Sequence, residues 1–188
     1  FAGVANTGAI SVAGGSGGAS SVTASDNLTT TGVSLDGTNG AASLTLNGSA
    51  AQDVTGAITT AGTVSNTSIT VINTAATDAT TFNGTIGASD QKVGALTVTD
   101  GNTTLTSDAY VDSAVTVTAD TLTNNSGATL SADSITGVGT FTNAGTTEVG
   151  ATGVDVTTAT NTGTLNVAGG VSGTDLTNSG TLDVTGAF

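Results

Sequence analysis

The chain has no Cys, His, Pro, Met or Trp, and its only basic residue is Lys92. Each gap removes a class of chemistry. Without Cys there is no disulfide and no thiolate metal site. Without His, the commonest general base and the commonest metal ligand are gone. Fourteen acids against one Lys leave a formal charge of −13, which repels nucleic acid and anionic lipid, so nucleic-acid binding is set aside. Four Phe and one Tyr in 188 residues are too few for an aromatic core. No apolar run approaches the roughly 18 to 20 residues needed to span a bilayer as a helix, because Thr, Asn, Asp or Gly interrupts every one.

What remains is mostly Thr, Ala, Gly, Ser, Val and Asn. The charged fraction is only 8%, and Val, Leu and Ile recur at close intervals, which fits a thin, repeated core better than disorder. The repeat is visible at the carboxyl end: "TNSGTLDVTG" from Thr177, "TNTGTLNVAGG" from Thr160, "TNAGTTEVG" from Thr142 and "TNNSGATLS" from Thr123. Asn125, Asn143, Asn161 and Asn178 are spaced 18, 18 and 17 apart, with Asn124 an alternative in the first copy. So short a period points to a solenoid, since propeller blades and helical repeats need longer units.

Each copy reads Asn, small residue, Gly, then an alternating run such as Leu165, Asn166, Val167. Period-two alternation places Leu and Val on one face of a strand. A second apolar cluster precedes each Asn, so each rung holds at least two short strands with Gly and Asn at the corners. The Asn residues are read as a structural turn stack, joined at the other end of the chain by Asn6 of "NTGAISVAGG". Thr, Val, Ser, Asn and Gly are mediocre or poor helix formers, and apolar residues at spacing two outnumber any helical stripe, which argues against helices. The expectation is one all-β domain over 1–188: a parallel β-helix, or β-solenoid, with rungs of 17 to 19 residues and about ten rungs in all. It is less regular in 1–90 and most regular in 91–188. Gly-rich Ala13 to Ser21 is read as a wide loop between rungs, with a flexible linker as the alternative.

"TFNGTIGASDQKVGALTVTDGNTTL" at Thr81 to Leu105, with the Asn-x-Gly-Thr copies, resembles the β-strand-repeat regions of very large bacterial surface proteins, including autotransporter passengers and filamentous adhesins. The resemblance implies a right-handed parallel β-helix at the cell surface, serving as stalk, adhesive fibre or surface-layer component, and no catalytic residues. The expected function is therefore a non-enzymatic extracellular structural protein that builds a filament or homo-oligomer by end-to-end strand stacking. The alternative is a side-face binding module for a cell-surface or glycan ligand.

Three candidate chemistries accompany that reading. Asp108 and Asp112 flank "AYV" and are weak candidates for calcium, although no DxDxDG loop occurs and no cofactor is required. Thr97 and Thr99, Thr116 and Thr118, then Ser134 and Thr136 form a Thr-x-Thr row that resembles the surface of ice-binding proteins. A β-helical polysaccharide lyase or hydrolase would need two carboxylates, but with no Arg, His or exposed aromatic set to hold sugar it is set aside. Six Asn-x-Ser/Thr sequons permit glycosylation and do not argue for it.

Overall fold

The computed structural model of the chain describes residues 5–74 and 79–186. Nineteen strands and one short 3₁₀ turn, Val64–Asn66, follow one another among them. Every strand pairing is parallel, and the chain winds as a β-solenoid of about 8 turns. At about 4.8 Å per rung the stack is roughly 40 Å long.

Each turn visits three faces in the same order. Face A is built by Ala79–Phe82, Asn102–Leu105, Thr121–Asn124 and Thr140–Asn143, continued by the ends of Thr146–Asn161 and Val171–Asn178. Face B includes Ile10–Ala13, Ala109–Tyr110, Thr164–Val167 and Thr181–Val184. Face C runs through Ser20–Ala24, Ala42–Leu46, Thr67–Ile72, Ala95–Asp100 and Ala114–Val117.

Alternation does the sorting. In Ala42–Leu46 and Thr67–Ile72 every second side chain is buried, so Leu44, Ile69, Leu96, Val115 and Ile135 stack in one inward column while their neighbours face out. Burying a Leu, Ile or Val side chain contributes about 1.5–3 kcal/mol, and parallel stacking repeats that gain on each rung. β-Branched residues suit these extended positions because their χ1 is already restricted.

The rung length departs from expectation. From Leu105 onward the steps Leu105 to Asn124, Asn143, Asn161 and Asn178 are 19, 19, 18 and 17 residues. Earlier the same column steps 26 residues from Leu28 to Val54, 28 to Phe82 and 23 to Leu105. The amino-terminal rungs carry long corner excursions, such as 83–94, which pairs only through isolated bridges at Ile86 and Val93. That is why about 8 turns form instead of ten. The Gly-rich stretch is a wide corner inside the first turn, where a loop between rungs was expected, and it is closed by Gly18 N–H donating to the Gly15 carbonyl at 3.0 Å.

Candidate functional site

The carboxyl-terminal half is held by a polar ladder inside the solenoid. Asn124 Nδ2 donates to Asn143 Oδ1 at 2.9 Å, Asn143 to Asn161 at 2.8 Å, and Asn161 to Asn178 at 2.7 Å. The second hydrogen of each amide goes to the backbone carbonyl of Thr146, Thr164 or Thr181, which tethers face A of one turn to face B of the next. Asn124, Asn143 and Asn161 are buried, so these amides have no water to fall back on.

Two expected members of the stack fall outside it. Asn125 sits one residue past the ladder, which begins at Asn124, because Asn124 pairs with Asn143 and takes the inward position that ends strand Thr121–Asn124. Asn6 pairs with Thr29, and the ladder's column passes through Ala5, Leu28 and Val54 instead. Its side chain lies outside the described residues. The cause is one extra corner residue in the early turns, seen as the register shift between Thr29 and Gly32. Ile10 and Leu165, by contrast, do occupy one column, as do Val12 and Val167.

A corner glycine stands two residues after Asn143, Asn161 and Asn178. A Cβ on Gly145 would lie 2.2 Å from the Ala128 carbonyl oxygen, and one on Gly163 or Gly180 would lie 2.1 Å from the carbonyl oxygen of the glycine one turn below. The Asn-x-Gly grammar therefore records two demands: an amide for the ladder and an absent side chain where backbones touch.

Several of the acids serve as corner acceptors. Asp108 Oδ1 receives the Thr129 N–H at 2.8 Å, Asp120 Oδ2 the Gly101 N–H at 2.8 Å, and Asp133 Oδ2 the Thr152 hydroxyl at 2.7 Å. Asp36 receives the Thr38 hydroxyl and backbone N–H, which together hold its carboxyl below the usual value of 3.8. Asp108 and Asp112 flank Ala109, Tyr110 and Val111, and four steps of extended chain set them about 13 Å apart, too far to share one ion. Asp112 instead lines a shallow cleft on face B with Lys92, Asp133 and Glu148. Among the described residues no three acids gather where they could hold a metal.

The outer faces are threonine-rich. On face C, Thr23, Thr45, Thr70, Thr97, Thr116 and Thr136 form one continuous column. The expected double row does not extend with them. Ser134 pairs with Ala114 and is buried, Thr99 is the unpaired residue of a bulge, and Thr118 follows its strand's end. The turn from Thr116 to its partner Thr136 takes 20 residues, not the 18 that separate Thr116 from Ser134, so the third pair lies two positions out of step.

Face A carries a better array that sequence spacing did not isolate. Thr81, Thr104, Thr123, Thr142, Thr160 and Thr177 stack in one outward column. Beside it Thr121, Thr140 and Thr158 form a second, so three successive turns present Thr-x-Thr. The signal was in the sequence as "TLTN", "TFTN" and "TATN", immediately before each ladder Asn.

Comparison of the chain with protein-family models, with curated proteins and with solved structures finds no match. The architecture therefore rests on the β-solenoid geometry itself.

Proposed function

We propose that the chain is a non-enzymatic structural segment of an extracellular rod, stalk or surface layer. One observation carries this reading: about 8 turns stack on one axis with parallel pairing, around a core that runs the length of the stack. Such an object supplies length and stiffness, and its acidic exterior keeps neighbouring rods apart. The resemblance of its repeats to bacterial surface proteins supports an extracellular location.

The last turn suits end-to-end growth. Strand Thr181–Val184 pairs only with Thr164–Val167, and Leu176, an inward position in earlier turns, is 37% exposed. The first turn offers Ile10, Val12 and Val22 in the columns that Leu182, Val184 and Val171 would meet in a second copy. A heterologous contact of this kind repeats without closing and builds filaments.

Electron microscopy of the purified chain at neutral pH in calcium-containing buffer tests this. Filaments with a rung repeat of about 4.8 Å are expected, and Leu182→Pro should stop their growth by removing a donor from the terminal strand. Separate rods of roughly 40 Å at every concentration would refute self-assembly.

A further inference from the structure

Face A combines three properties; face C shares an uncharged threonine column but not the unbroken register or the paired Thr-x-Thr rows. The register of face A runs without a bulge from Ala79 to Asn178, whereas face C carries a bulge at Thr99 and face B is reduced at Ile86 to isolated bridges. Its outward positions between 79 and 160 are Ala, Asn and Thr, without one charge, in a chain of net charge −13; Asp53 and Asp175 stand only at its two ends. Its threonines lie on a grid of about 4.8 Å between turns and about 6.7 Å along the strand. Stacked strands resist the usual sheet twist, so the grid stays close to planar over several turns.

From these properties we infer that face A binds the surface of crystalline water. Each threonine presents a hydroxyl that anchors a water and a methyl that restricts its neighbours, and its branched Cβ holds both in one rotamer. The grid is on the scale of the oxygen repeat of an ice prism face, and a neutral lattice is met by a neutral face. A second copy is the weaker occupant: six turns of a four-residue strand offer about 400 Å² per partner, half of the roughly 800 Å² that a stable protein interface buries. Crystalline polysaccharide is also disfavoured, because sugar faces are held by aromatic rings and the described aromatics are elsewhere: Phe82 and Phe141 in the core, Tyr110 on face B.

The test is thermal hysteresis and ice-crystal shape with the full chain. The wild type is expected to shape ice and hold its growth below the melting point. Thr142→Tyr, at the centre of the array, should abolish the hysteresis, and Thr116→Tyr on face C should leave it intact. Circular dichroism checks folding, and Thr142→Ser, which keeps the hydroxyl and removes the methyl, gives a milder variant expected to lose part of the effect. Round ice crystals with the wild type would overturn the inference. So would equal loss from the face C variant, or side-by-side dimers in sedimentation that Thr142→Tyr dissolves while ice is unaffected.

Discussion

Replacing Asn143 by Ala tests whether the amide ladder holds the carboxyl-terminal turns together. Asn143 makes four side-chain hydrogen bonds: it accepts from Asn124 Nδ2 and the Thr147 hydroxyl, and donates to Asn161 Oδ1 and the Thr164 carbonyl. After truncation, Asn124 Nδ2 keeps the Thr146 carbonyl. The Thr147 hydroxyl loses its acceptor and Asn161 Oδ1 its donor, both in the buried interior. A stranded buried polar group costs about 1–3 kcal/mol, so two give a loss of about 4 kcal/mol. Asn178→Ala is the internal control. Asn178 is exposed, and Asn161 Nδ2 retains the Thr181 carbonyl at 2.7 Å, so its loss costs about 1 kcal/mol or less. Urea unfolding followed by far-UV circular dichroism measures both, on a scale where whole domains are stable by about 5–15 kcal/mol. Equal effects at Asn143 and Asn178 would refute the ladder as a source of stability. Asn143→Leu should not rescue the loss, even though Leu fills this column at Leu28 and Leu105, because the stranded partners remain.

Gly163→Ala should destabilise by about 2 kcal/mol or more, read from the same unfolding curves, since its Cβ would meet the Gly145 carbonyl oxygen. Asp36 should titrate below its usual value by carboxyl NMR, and Thr38→Val should raise it by removing the hydroxyl donor. Because the folded value is depressed, its contribution is present above the unfolded carboxylate value and is lost as pH falls through the folded one. Calcium or a chelator should leave the melting temperature unchanged, since Asp108 and Asp120 already accept backbone N–H groups and lie at separate corners.

The all-β class, the parallel solenoid and the rung length of the second half were legible because each follows from local pattern. Alternation in "TLNV" and "TLDV" fixes which side chains point inward, and an Asn every 17 to 19 residues fixes the return of the chain. Register was not legible, since one residue added at a corner changes nothing in a strand's own pattern yet moves its partner on the next turn. That is how Asn124 displaced Asn125, how Asn6 came to lie beside Thr29, and how Ser134 came to lie beside Ala114. The long early corners hid the true number of turns for the same reason.

The sequence by itself determined that each turn has a small-residue core, a threonine exterior and glycine at its corners, because side-chain size and the two-residue period act within a single strand. Only the tertiary structure decided which residues of different turns become neighbours. Six threonines spread over 97 residues became the single column from Thr81 to Thr177, and four asparagines became one hydrogen-bonded ladder. Such columns depend on the length of every corner between them, a sum over the whole chain that no short stretch carries.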